Sequence, residues 1–258
     1  MLIINKSFED YKKQINLNDS IQLLVEDSPH IKRVGKSKEG IYQIIFSQRF
    51  EENYFSLMDA ITFNETLGKN IILDVKEDYL WQARKVYEGH GFDDAIRPYE
   101  SEYIIHSTDE SSYKSIMRDG KLKSFNSLHF DDKDAELAIG KLLGDPDTLR
   151  DYILFSPSKY PPEIVVASKE YGRIIQNIDV SYHPGVRMYF DSVKMAQDKI
   201  LIRDGLHYMV KDELDLEDYL LLYVDVEKLN ISKEVKIRDF ANNADFYFYS
   251  FLKNRGQC

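Results

Sequence analysis

Between Ile41 and Glu88 the apolar spacing changes three times across four segments, and this order restricts the possible folds more than any other feature of the chain. Ile41–Phe46 (IYQIIF) reads as a buried strand, Asn53–Leu67 as an amphipathic helix and Asn70–Val75 (NIILDV) as a second buried strand. Tyr79–Glu88 (YLWQARKVYE) returns to helical spacing and stops at Gly89 and Gly91, the residue type that accepts positive φ. Strand, helix, strand, helix predicts an α/β unit with parallel pairing, because parallel strands need a crossover between them.

The texture then changes. Glu102–Ile105 reads as a short strand running into His106, Ser107 and Thr108, and Asp109–Ser112 offers N-cap residues for a helix Tyr113–Arg118 that closes at Gly120. Tyr152–Phe155 reads as a strand, SPSKYPP as a turn and Glu163–Tyr171 as a helix, with Pro161 and Pro162 at its first turn. Val186–Phe190, Leu206–Val210, Tyr219–Val226 and Asp245–Phe251 are aromatic-rich and predict further strands. The expected class is α+β: an N-terminal α/β unit (residues 1–100) and a mixed, largely antiparallel C-terminal domain (residues 101–258), divided near Arg97–Ser101.

Composition narrows the functions. A formal charge of −10, with both halves acidic, argues against general affinity for DNA or RNA, because phosphate binding scales with clustered Lys and Arg. The single cysteine, Cys258, removes an intrachain disulfide, a cysteine zinc cluster and an internal thiol nucleophile, which makes a reducing cytoplasm the expected location. No run of about 20 apolar residues and no leader-like N-terminus occurs, so no membrane partner is expected. The histidines at 30, 90, 106, 129, 183 and 207 form no HxxxH or HxH pair, and no metal site is expected. The acidic run Lys211–Tyr219 (KDELDLEDY) reads as a solvated connector. Arg187, after the turn His183-Pro-Gly, reads as a surface partner for neighbouring acids or as a pyrophosphate ligand.

LGKNIILDV, a polar turn and ARKVYEGHGF together resemble the C-terminal part of a GNAT-type N-acetyltransferase over roughly residues 40–105. That family holds the coenzyme A pyrophosphate on a glycine-rich turn at a helix N-terminus. Here the turn is Ser47–Tyr54, without glycine and with Glu51 and Glu52 in the phosphate position, which implies a degenerate scaffold.

The second half resembles the ADP-ribosyltransferase fold, in the branch of poly(ADP-ribose) polymerases, diphtheria-type toxins and RNA 2′-phosphotransferases. The carriers are EYIIHSTDESSYKSIMRDGKL, YILFSPSKYPPEIVVASKEY and GLHYMVKDELDLEDYLLLYVDV, in that order over residues 102–251. The resemblance implies an NAD-binding protein that transfers ADP-ribose to an acceptor it does not specify. It implies His106 and Thr108 at the ribose, with Ser107 replacing the family's glycine, and Tyr160 or Tyr171 stacked on the nicotinamide. His207 stands where the family carries its catalytic glutamate. An imidazole supplies a hydrogen bond or a proton there but no negative charge, which leaves three expectations: His207 as acid or base, substitution by Asp204 or Glu213, or binding alone. The competing expectation is an inactive interaction protein built on both scaffolds.

Overall fold

Leu23, Ile44 and Leu73 lie side by side on three parallel strands and explain why the first hundred residues form a sheet. In the computed structural model, which describes residues 1–90, 94–131 and 146–254, the chain splits into two compact units: Met1–Glu100 with Ile202–His207, and Ser101–Leu201 with Tyr208–Cys258. Gly91, Phe92 and Cys258 lie outside the described residues.

Unit 1 runs β1 (Leu2–Ile4), α1 (Phe8–Tyr11), β2 (Ser20–Glu26), β3 (Lys32–Lys36), β4 (Tyr42–Ser47), α2 (Glu52–Thr66), β5 (Asn70–Asp74) and α3 (Glu77–His90). The sheet order is β1-β5-β2-β4-β3, parallel except where β3 pairs with β4. β4 and β5 are parallel but not neighbours, because β2 stands between them. Strand alternation divides the side chains: Ile71 and Leu73 join Leu23, Ile44, Leu57 and Ala83 under α2 and α3, while Ile72 packs with Ile3, Tyr11 and Ile41 on the other face.

Unit 2 runs β6 (Tyr103–Thr108), α4 (Glu110–Asp119), β7 (Lys121–Lys123), α5 (Phe125–Asp131), β8 (Tyr152–Phe155), α6 (Pro161–Tyr171), β9 (Ser181–Tyr182), β10 (Val186–Asp191) and α7 (Ser192–Gln197). The chain then contributes Ile202–His207, with the two-residue strand β11 (Ile202–Arg203), to unit 1. Unit 2 resumes with β12 (Tyr208–Lys211), β13 (Glu213–Asp215), α8 (Leu216–Tyr219), β14 (Leu220–Val224), α9 (Val226–Leu229), β15 (Val235–Lys236) and α10 (Ile237–Asn254). β14, β10 and β6 form one antiparallel sheet, and β12–β8, β13–β7 and β15–β9 pair antiparallel as well. A single bridge, Ile105 to Ser156, links β6 to the residue after β8. The protein is therefore a mixed α+β fold with mostly antiparallel sheets in its second unit.

Two local readings are corrected. Asp245–Phe251, expected as a strand, lies within α10. The buried residues Ile237, Phe240, Ala241, Ala244, Asp245 and Phe248 recur every three or four positions, and that stripe packs Ala244 and Phe248 on Ile105, Tyr189 and Val224. The strand expected from Leu206 begins at Tyr208, because Leu206 packs instead into the core of unit 1.

Candidate functional site

β6 points successive side chains to opposite faces, and this separates the two polar residues next to one another on it. Ser107, on the face of Ile105, donates to Glu163 Oε1 at 2.5 Å. Glu163, on α6, also accepts from the Tyr182 hydroxyl (2.5 Å) and from Arg187 Nη1 (3.0 Å). Arg187 is fully buried at 0% exposure, and its fork reaches across to Asp245 Oδ1 on α10 (2.8 Å), the Lys159 carbonyl (2.9 Å) and the Tyr189 hydroxyl (2.9 Å). The Tyr189 hydroxyl in turn donates to Asp245. Two carboxylates, one guanidinium and three hydroxyls thus satisfy one another inside unit 2, as buried charges must. Arg187 is neither a surface residue nor a pyrophosphate ligand, because both of its carboxylate partners are inside the fold.

His106 lies on the opposite face with Ile104, across from Met188 and against the Phe155 ring at 5.8 Å. Its Nδ1 meets the Leu154 carbonyl at 3.0 Å, and since a carbonyl only accepts, Nδ1 carries the proton and Nε2 presents a lone pair. Burial works against the imidazolium and holds the pKa below the usual histidine value, although the Leu154 hydrogen bond and the Glu163 charge pull upward. The ring is a neutral acceptor of fixed tautomer.

Beyond Thr108, β6 runs into Asp109, which caps α4 by accepting from Ser112 N. Here opens a groove of about 480 Å³, lined by Asp109, Glu110 and Ser111 of the α4 start, Lys169 and Glu170 of α6, and His183. Beside it the backbone of Gly185 closely approaches Thr108 and Asp109. Lys169 pairs with Asp109 at 2.9 Å. Glu170 grips His183 twice, accepting from its backbone N–H and from its Nδ1, both at 2.8 Å. The carboxylate raises the pKa of His183 through that hydrogen bond and its charge.

No family model, curated protein or solved structure matches the chain.

The remaining expected residues disperse. Tyr160 sends its hydroxyl toward Asn242 of α10 at 3.4 Å, and α10 packs on the Ile105 face of β6, opposite His106. Tyr171 is 45% exposed and donates to the Ser181 carbonyl at 2.7 Å. His207 belongs to unit 1, where Asp204 accepts from its Nδ1 (2.9 Å) and its backbone N–H (2.6 Å). His106 belongs to unit 2 and His207 to unit 1, where it precedes β12 and serves the Ile202–His207 segment. Of the two substitute acids, Asp204 stays with His207, and Glu213 accepts from Lys121 at 2.6 Å on the β7–β13 pair.

Unit 1 holds a polar cluster of its own. Arg97 lies on Asp59 with both carboxylate oxygens at 2.5 Å, and Arg203 grips Glu100 at 2.7 and 2.9 Å. Burial pushes the Asp59 carboxyl up to about 6 against the pull of Arg97. Burial also pushes Asp204 upward, but His207 and two backbone N–H groups overcome it, so its net shift is down. Glu51, at the start of α2, accepts from the Tyr99 hydroxyl at 2.8 Å. Among the described residues no group of three or more His, Cys, Asp or Glu is placed to hold a metal ion, and no helix is long and apolar enough to cross a membrane.

Proposed function

We propose that unit 2 binds NAD and transfers its ADP-ribose to an acceptor, with His106 as the ribose contact. The observation that carries this reading is the fixed tautomer of His106: a neutral Nε2 lone pair, held by the Leu154 hydrogen bond on β6, the strand that runs into Asp109 at the groove. Such an acceptor suits a ribose hydroxyl, which donates to it without any change of protonation. Thr108, two residues on, adds a hydroxyl at the same strand end. Lys169 supplies the groove's lysine for a phosphate, though Asp109 shares it.

A second reading, retention of NAD without transfer, is favoured by the state of Glu163. It is the carboxylate whose charge reaches His106, and its oxygens are already taken by Ser107, Tyr182 and Arg187. Titration calorimetry with NAD tests the binding, and release of nicotinamide separates the two readings. Binding that His106→Ala weakens about tenfold or more, in line with one hydrogen bond of about 1.4 kcal/mol, supports the site. Absence of any NAD heat at millimolar ligand, or a His106→Ala variant that binds as wild type does, refutes it.

A further inference from the structure

We infer that Lys32 of unit 1 is the amine of a carbonyl-capturing site, which condenses with a small uncharged aldehyde or ketone to form an imine. The site lies wholly in unit 1 and does not depend on NAD binding by unit 2. β3 is an edge strand, and Lys32 stands opposite Phe46 in the antiparallel β3–β4 register, so its side chain shares the α2 face of the sheet with the Phe46 ring. The strand start is fixed there. Ser47 N–H donates to the Ile31 carbonyl at 3.0 Å, and the Asn53 amide of α2 donates to the Ile31 and Ser47 carbonyls, both at 2.8 Å. The charges of Glu52, Asp59, Glu100 and Asp204 reach the Lys32 amine. Three of these carboxylates are engaged elsewhere: Asp59 with Arg97, Glu100 with Arg203 and Asp204 with His207. Lys32 itself makes no hydrogen bond or ion pair among the described residues. Burial disfavours its ammonium and holds the pKa below the ordinary lysine value, against the pull of the four carboxylates. The residue is half-buried, so a small molecule still reaches it. A desolvated, unpaired amine of this kind is a nucleophile.

The surrounding charge selects the carbonyl compound. Arg97 and Arg203 are matched by Asp59 and Glu100, and the charges of Glu52 and Asp204 remain, so a carbonyl compound that carries a carboxylate or phosphate is repelled. In the condensation the lone pair of the Lys32 nitrogen forms a bond to the carbonyl carbon, the C=O π pair moves to oxygen, and one amine proton passes to that oxygen. The hydroxyl of the resulting carbinolamine leaves as water with a proton from solvent, while the nitrogen lone pair closes the C=N bond. Amine, carbonyl compound and one proton thus become a protonated imine and water, without an oxidant or a second reactant. Glu52 and Asp204 offset the positive charge of that product.

The test uses the full chain near neutral pH, with glyceraldehyde as the uncharged probe, its phosphate ester as the charged counterpart, and cyanoborohydride to reduce any imine to a stable secondary amine. Peptide mass spectra locate the adduct. Lys32 is expected to carry it before the exposed Lys36 and Lys38 of the same β3–β4 hairpin. Labelling of Lys32 is expected to saturate with glyceraldehyde, as capture in a site does, while that of Lys36 and Lys38 rises in proportion to it. The phosphate ester is expected to leave Lys32 unlabelled. Lys32→Arg keeps the positive charge and is expected to lose the adduct entirely. Glu52→Gln removes a carboxylate that favours the ammonium and is expected to speed labelling of Lys32. Labelling of Lys32 no faster than of Lys36 and Lys38, without saturation, or only after unfolding in urea overturns the inference. Equal labelling by the phosphate ester overturns the choice of an uncharged carbonyl compound. Calorimetry with NAD reads the unit 2 site separately, so neither reading falls with the other.

Discussion

Gly185 and Thr108 touch through their backbones: a Cβ on Gly185 would stand 2.1 Å from the Thr108 carbonyl oxygen and 2.6 Å from Asp109 Cα. This contact holds the residue after the His183–Pro184 turn against the end of β6. Because the neighbours are main chain, no rotamer change relieves the overlap. Gly185→Ala is expected to cost about 1–3 kcal/mol in urea unfolding, the range for overpacking. An alanine variant with an unchanged unfolding midpoint would show that the turn is free to move.

Arg187 joins the two carboxylates of a buried charge network, Glu163 and Asp245, and Lys159 also reaches Asp245 at 3.5 Å. Arg187→Met leaves Glu163 buried without its cation and Asp245 with Lys159 alone, which is expected to cost about 3–5 kcal/mol. The double variant Arg187→Met/Glu163→Gln is expected to recover part of that loss, since one of the stranded charges is gone. Denaturation curves of the single and double variants measure the coupling. Additive effects would remove the network as a unit.

His106 makes folding depend on pH with a definite sign. Its folded pKa lies below the usual 6.5 because burial opposes the imidazolium, so on acidification the unfolded chain takes up the proton first. The stability it contributes is complete above about pH 6.5 and is lost as pH falls through the folded value. His106→Gln keeps a donor for the Leu154 carbonyl but does not titrate. The wild type is therefore expected to lose more stability than His106→Gln between pH 7.5 and pH 5, as read from urea midpoints. Parallel pH profiles for the two proteins would contradict a buried neutral ring.

The elements that the sequence made legible are those whose stabilisation is local or strictly periodic. β4, α2, β5 and α3 follow from their apolar spacing within two residues at each end, and α4 begins at Glu110, directly after its Asp109 cap and three residues before the expected Tyr113. β2 was passed over although Ser20–Glu26 (SIQLLVE) has the same buried character, and it separates the two strands that the pattern would have made neighbours. Asp245–Phe251 (DFYFYSF) misleads because aromatic residues fill both faces of any short window. Only the longer window from Ile237, with its three- and four-residue spacing, reveals the helix. The site was less legible. His106 stands where its strand predicts, but Arg187 finds its acids 24 and 58 residues away and His183 finds its carboxylate 13 residues away, pairings no local pattern encodes. His207 looked like a strand residue, and the signal against that was present three residues earlier in Asp204, which accepts from both its ring and its main chain.

Gly205 explains why the Ile202–His207 segment leaves unit 2 for unit 1. Its φ of +88° lies in the left-handed region, and a Cβ there would meet the Ser56 carbonyl oxygen at 2.3 Å and Ala60 Cβ at 2.9 Å on α2. Around this close approach Leu206 enters the core beside α2, and Arg203 fixes the segment to Glu100. Gly205→Ala combines backbone strain with overlap against main chain and is expected to cost about 2–4 kcal/mol, more than either effect alone. Hydrogen exchange should show the loss concentrated in residues 202–207 and the facing turns of α2, because those are the groups the alanine forces apart. Gly35 on β3 is the control: its φ is not positive, nothing lies within 4 Å of a Cβ there, and Gly35→Ala is expected to stay within about 0.5 kcal/mol of wild type. Equal effects at the two positions would mean that the segment is not anchored through Gly205. Alanine at 205 with wild-type protection of Leu206 would mean that its side chain, not the glycine, decides where the segment docks.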